Sequence, residues 1–144
     1  MIATQLPIRD LMVQYAWSFL GKPYIWGGAG GLGIDCSGLC VEILQGVGLL
    51  PRSLDQTAND LFQRFSRTEE PLHGNLIFWV SDGRAFHTGL VAYDGLAYIG
   101  AEGGGSTTTT LAEANGRNAY VKLRPLESRG AYLLADPFKE RRLR

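Results

Sequence analysis

The stretch Tyr24-Ile25-Trp26-Gly27-Gly28, followed by Gly33-Ile34-Asp35-Cys36-Ser37-Gly38-Leu39, decides the reading of this chain. A glycine-rich loop over 27–33 gives way to apolar residues at helical spacing: Leu39, Cys40, Ile43, Leu44 and Val47. Cys36 therefore stands at the head of a helix predicted over 36–47, with Gly48 and Pro51 as its breakers. A thiol is a weak nucleophile until it ionises. A helix N-terminus and a nearby imidazolium both stabilise the thiolate, so a lowered pKa is expected at Cys36. Its own backbone N–H, near the helix start, could donate to an oxyanion. The imidazole comes from Phe86-His87-Thr88-Gly89-Leu90, an alternating run in which His87, Gly89, Val91 and Tyr93 share one face. A cysteine and a histidine on separate elements is the pattern of a nucleophile and its base. Cys40, one turn further along the apolar face, reads as core, and His73, in Pro71-Leu72-His73-Gly74, as a solvated turn residue.

Outward from this pair, the apolar spacing predicts a first helix over 8–19, stopped by Gly21 and Pro23. A third helix is expected over 55–65, capped by Ser53 or Asp55. The period then changes to two. Strands are expected over 76–80, 86–93, 96–101, 119–123 and 132–134, with turns at Ser81-Asp82-Gly83 and Asp94-Gly95 and a polar loop over 103–110. Helices first and an antiparallel meander afterwards imply an α+β fold, with residues 1–144 as one domain.

Fourteen basic and fourteen acidic residues cancel, which argues against broad binding to nucleic acid or to an anionic membrane. The basic tail Lys139-Glu140-Arg141-Arg142-Leu143-Arg144 reads as a solvated terminus. Cys36 and Cys40, at i and i+4, are poorly placed for a disulfide, and no Cys/His/Asp cluster has metal-ligand spacing. No metal or other cofactor is implied. The start of the chain lacks a secretory signal, and no apolar run reaches membrane-spanning length. Synthesis in the cytoplasm is expected, with any substrate outside reached by another route.

These segments resemble the NlpC/P60 family of papain-like cell-wall peptidases. The likeness is carried by 21–28, by 33–39, by Leu50-Pro51-Arg52 and Gln56, by Gly74-Asn75-Leu76-Ile77-Phe78-Trp79, and by His87-Thr88-Gly89-Leu90-Val91. Together they cover most of residues 8–102 in the family's order. The resemblance implies N-terminal helices packed on an antiparallel sheet, Cys36 as nucleophile and His87 as base. It also implies that Tyr24, Asp35 and Ser37 recognise the free amine end of a peptidoglycan stem peptide. A carboxylate and hydroxyls beside the nucleophile suit an ammonium group. Two of these have a plainer reading, Asp35 as helix cap and Tyr24 as core, and the neighbouring Trp26 reads more strongly as core.

Two positions depart from the family pattern. Gly74-Asn75 stands where the family usually has Gly-Asp, a difference expected to be structural. More serious, Gly100 falls near the place of the side chain that orients the imidazole. Glu102, two residues on and on the same face if the strand continues, is the candidate orienter; a backbone carbonyl or water is the alternative.

The implied reaction is hydrolysis of a stem-peptide amide, that of the D-glutamate γ-carboxyl to the following diamino acid, through a thioester. Acyl transfer, deamidation, or a non-catalytic wall-peptide-binding or phage-tail module are the alternatives. A short catalytic domain of this kind suits a bacteriophage tail or lysis protein, an effector injected into rival cells or an intracellular recycling enzyme. The segments 103–110 and 115–124 look like those of phage-type members, so action on the cell wall from a bacteriophage virion, with tail or lysis partners, is ranked first.

Overall fold

The computed structural model describes residues 2–27 and 33–141. The middle of the 27–33 loop and the last residues of the basic tail lie outside them. Among the described residues, four α-helices precede or interrupt six strands: α1 (Ile2–Trp17), α2 (Cys36–Gly46), α3 (Ala58–Arg64), β1 (Phe65–Thr68), β2 (Leu76–Ser81), β3 (Arg84–Val91), β4 (Ala97–Glu102), α4 (Leu111–Gly116), β5 (Tyr120–Pro125) and β6 (Leu133–Glu140). The strands form one sheet in the order β1-β6-β2-β3-β4-β5, and every neighbouring pair is antiparallel. The fold is α+β, as the order of periodicities implies.

Alternation along the strands divides the core into two. Leu76, Phe78, Leu90 and Ile99 face the helices and join Met12, Leu39, Ile43 and Leu61. Ile77, Trp79, Val91 and Tyr98 point to the other face, where Leu126 and Leu134 cover them. Burial of this apolar surface is the main force holding helices to sheet.

Several boundaries differ from the sequence expectation. α1 begins at Ile2 and runs through Pro7. The carbonyl that Pro7 leaves unpaired belongs to Ala3, and both residues are exposed, so water replaces the missing donor. α3 begins later than expected and is capped by Thr57 rather than Ser53 or Asp55: Thr57 Oγ1 accepts from Asp60 N (3.1 Å) and Asp60 Oδ2 from Thr57 N (2.9 Å). This box satisfies two orphan donors at once. The chain before it stays irregular because Gln45 Nε2 donates to the carbonyls of Pro51, Arg52 and Leu54. Phe65, expected in that helix, starts β1 instead. A short α4 follows the 103–110 loop, where the sequence assigned no element, with Thr110 and Glu113 forming a second capping box. β6 extends well past Leu134: Pro137 sits in the stretch where the pairing with β1 loses register, so its missing N–H breaks no ladder.

The β2–β3 turn matches its sequence, with Asp82 and Gly83 both at positive φ (52° and 76°). β3 and β4 are registered over only two pairs, Leu90 with Ile99 and Val91 with Tyr98. From Gly89 back toward Arg84, β3 has no registered partner on β4, and the sheet parts there. Gly89 suits the start of this parting, since a β-carbon on it would stand 2.8 Å from the Tyr98 ring.

Candidate active site

Asp35 ends the loop and caps α2: Oδ1 accepts from Gly38 N (2.7 Å), and Oδ2 accepts from Gly27 N (2.9 Å). The carboxylate is thus committed to backbone on both oxygens, while still lining a cleft of about 610 Å³. Burial pushes its pKa up, against the pull of the Gly38 and Gly27 amides. Cys36 and Ser37 follow on the same cleft wall, with Gln56 and Thr57 on the segment leading into α3 and Arg84 and Phe86 from the β2–β3 hairpin.

Cys36 is 9% exposed, and the backbone N–H groups of Thr88 and Ser37 lie near enough to its thiol to favour the charged form. The lowered pKa expected from the helix N-terminus does not result. Burial, joined by the Asp35 carboxylate, pushes the thiol up to about 11, and the two amides only offset part of that. Cys40 is fully buried, with its sulfur 3.9 Å from Thr88 Oγ1, as a core residue would be.

His87 is buried on the face of the sheet away from the helices, its ring 5.2 Å from that of Trp79. Opposite it the β2–β3 register slips between Trp79 and Val80, and Phe86 is turned out to solvent. The structure joins His87 to Glu102: Nε2 is hydrogen-bonded to Glu102 Oε2. Glu102 Oε1 accepts from the Tyr98 hydroxyl (2.8 Å) and lies 3.5 Å from a guanidinium nitrogen of each of Arg124 and Arg129. Burial would raise this carboxyl, but the hydrogen bond and charge of His87, the Tyr98 hydroxyl and Arg129 outweigh it, and the net direction is down. Cys36 meets this group through its neighbour: its partner amide, Thr88, adjoins His87, and no direct Cys36–His87 hydrogen bond is present among the described residues.

Tyr24 is nearly buried, anchored by its backbone N–H on Ala119 O (3.0 Å). Its ring lies against Gly104, where a β-carbon would come within 2.1 Å. Burial, then the nearby Cys36, Asp35 and Glu102, hold its phenol protonated well above the ordinary range. Trp26, expected in the core, is instead 52% exposed on the cleft rim, held by its N–H on Thr108 O (2.7 Å). In extended chain Tyr24 and Trp26 would share a face; the chain turns next to Trp26, at Gly27, whose φ is 73°, and Trp26 points out while Tyr24 stays in. His73 is not merely solvated: its Nε2 pairs with Asp10 Oδ1 at 2.9 Å. Asn75 is buried and structural, accepting from Arg9 and donating to Glu70 O. Sequence reasoning missed Arg124 and Arg129, which no motif marks; only the register of β5 against β4 brings Arg124 opposite Tyr98.

Residues 21–125 match the model of the NlpC/P60 family. Over 94 residues the sequence is 34% identical to a gamma-D-glutamyl-L-lysine dipeptidyl-peptidase of Bacillus cereus, covering 62% of this chain and 27% of that protein. It is 37% identical over 89 residues to a probable endopeptidase of Mycobacterium tuberculosis, covering 61% and 22%. The chain thus spans about a quarter of the length of these curated relatives. An NlpC/P60 family protein of Bacillus cereus superposes with a TM-score of 0.68 at 23% identity, covering 89% of this chain and 39% of that one. RipD of Mycobacterium tuberculosis, described as a non-catalytic NlpC/p60 domain protein adapted to peptidoglycan binding, does so with 0.63 at 23% identity, covering 90% and 96%. At these identities the structural likeness is one of fold.

Proposed function

Because the chain belongs to the NlpC/P60 family, we propose that it is a cysteine peptidase of peptidoglycan stem peptides. The bond proposed is the amide from the γ-carboxyl of D-glutamate to the following diamino acid. The observation that carries this reading is a buried histidine whose Nε2 is already engaged by a carboxylate, with the next residue along its strand, Thr88, beside the cleft-lining thiol at the head of α2.

In this mechanism Glu102 fixes the tautomer and leaves Nδ1 of His87 as the nitrogen that takes a proton. A thiol pushed up to about 11 is protonated at neutral pH, so His87 acts as general base while Cys36 attacks the carbonyl carbon. The Cys36 backbone N–H, free of an intrahelical partner at the first turn of α2, donates to the oxyanion. The protonated His87 then gives its proton to the leaving amine, and water, deprotonated by His87, hydrolyses the thioester. Tyr24, Asp35 and Ser37 hold the amine end of the stem peptide. For Asp35 this rests on its place in the cleft wall beside its capping role.

Gly100 alone would have favoured a non-catalytic wall-peptide-binding module; the Glu102 carboxylate beside His87 favours hydrolysis over it. Delivery by a bacteriophage tail or lysis system belongs to the same proposal and rests on the likeness of 103–110 and 115–124 to phage-type members. The test is mass spectrometry of peptidoglycan and defined stem peptides incubated with the protein and with Cys36→Ala. New fragments from the first alone support the reading and name the bond. No cleavage of either diamino-acid type by folded protein sinks it.

A further inference from the structure

The orienting carboxylate of this chain reaches back toward its histidine from two residues along the strand. Tyr98, Gly100 and Glu102 alternate onto one face of β4, and a β-carbon at Gly100 would stand 3.1 Å from both Glu102 Oε2 and the Tyr98 ring. The carboxylate thus lies over Gly100, at the end of a flexible side chain. A Glu side chain has several rotamers, and holding it in one costs conformational entropy that a shorter residue at position 100 would not incur. Something must fix it.

Three groups converge on the oxygen that His87 does not use. The Tyr98 hydroxyl donates to Oε1 from the same strand, Arg124 approaches from β5 and Arg129 from the turn that follows it. The Arg129 guanidinium also lies over the Trp79 ring, 5.4 Å from its centroid, and Trp79 in turn packs on the His87 ring. Arg129 therefore touches both the acid and the aromatic neighbour of the imidazole. Neither arginine lines the cleft on the Cys36 side.

We propose that Arg124 and Arg129 are positioning residues for His87, acting through Glu102: they occupy Oε1 and so leave Oε2 as the acceptor for the imidazole. This rests on the peptidase reading for its catalytic consequence but not for its structural one. The charged groups around Glu102 are His87 on β3, Tyr98 on its own strand, Arg124 and Arg129, with Cys36 and Tyr24 from the helix side. Among the described residues, the two arginines alone bring positive charge to Oε1.

The test compares wild type with Arg124→Gln, Arg129→Gln, the double variant and Arg129→Lys. Both side chains are partly exposed, so all four variants are expected to fold, as circular dichroism would register. The double variant should lose about tenfold or more in kcat with KM little changed, the size expected when a buried charge loses its ion-pair partners. Arg129→Lys should recover part of that. Proton NMR gives a readout independent of turnover: the downfield imidazole N–H resonance of the His87–Glu102 bond, identified by its absence from His87→Asn, should weaken or vanish in the double variant. An intact resonance in the double variant would overturn the proposal, as would a change in KM alone. Folded wild-type protein that cleaves no stem peptide would defeat the peptidase reading and leave the NMR test of the clamp standing.

Discussion

A β-carbon on Gly100 would sit 3.1 Å from Glu102 Oε2, so the glycine and the acid two residues on occupy one place between them. Gly100→Ala is therefore expected to press Glu102 off His87 and lower kcat about tenfold, with a small loss of thermal stability, since overpacking at one methyl costs about 1–3 kcal/mol. Turnover of a defined stem peptide and a thermal melt check both. Unchanged kcat would show that Glu102 and the imidazole are not coupled in this way.

Cys36→Ala and His87→Asn are each expected to remove at least about a thousandfold of activity, because nucleophile and base act as a unit. Circular dichroism should show both variants folded. The double variant should be no worse than either single one, which steady-state assays at high enzyme concentration can measure.

The Cys36 thiol, pushed up to about 11, should react slowly with iodoacetamide at pH 7 and faster as pH rises toward that value. Cys40, pushed up to about 12 and fully buried, should stay unmodified until the protein unfolds. Both shifts are upward from 9.0, so the folded state holds protons that the unfolded state releases. Their contribution to stability is complete below pH 9 and is lost as pH rises through about 11 to 12. Urea unfolding midpoints at pH 8, 10 and 11, trials chosen to bracket that range, should fall in order. A reactive thiolate at neutral pH would contradict the burial argument.

Gly104→Ala would drive a methyl into the Tyr24 ring, whereas Gly105→Ala meets nothing within 4 Å. The first should impair turnover about tenfold or more, in keeping with the cost of misplacing a substrate-positioning group. The second should leave it unchanged. Equal behaviour of the two would mean that Tyr24 has no part in holding substrate.

The α+β order, the hairpin turns and the head of α2 were legible because each is local: a period, a positive-φ Asp-Gly pair, an Asp before an apolar helix. The capping boxes at Thr57 and Thr110 are equally local and set the starts of α3 and α4, but neither is followed by an apolar period long enough to mark that start from the sequence. Other features depend on contacts between distant segments. Trp26 could be placed on the cleft rim only by knowing that its amide binds Thr108 O. The Cys36 pKa depends on how much of the fold covers the thiol, and the helix N-terminus, read alone, gives the wrong sign. Arg124 and Arg129 become neighbours of Glu102 only after β5 has paired with β4.

Arg9 lies 1% exposed on α1, with hydrogen bonds to Asn75 Oδ1 (2.8 Å), His73 O (3.0 Å) and Asp136 Oδ1 (3.0 Å), and its guanidinium over the Phe138 ring. One side chain thereby fastens the first helix to the entrance of β2 and to β6. The family match starts at residue 21, beyond this helix. A fragment trimmed to residues 21–125 would lose β6 with Asp136, leave Asn75 and His73 without Arg9, and bare Leu39, Ile43 and their neighbours where Met12, Val13 and Ala16 now cover them. The smallest piece that can be produced as a folded entity is thus longer than the signature by which the family is recognised, and any excised or fused version should carry residues 2–20 with it.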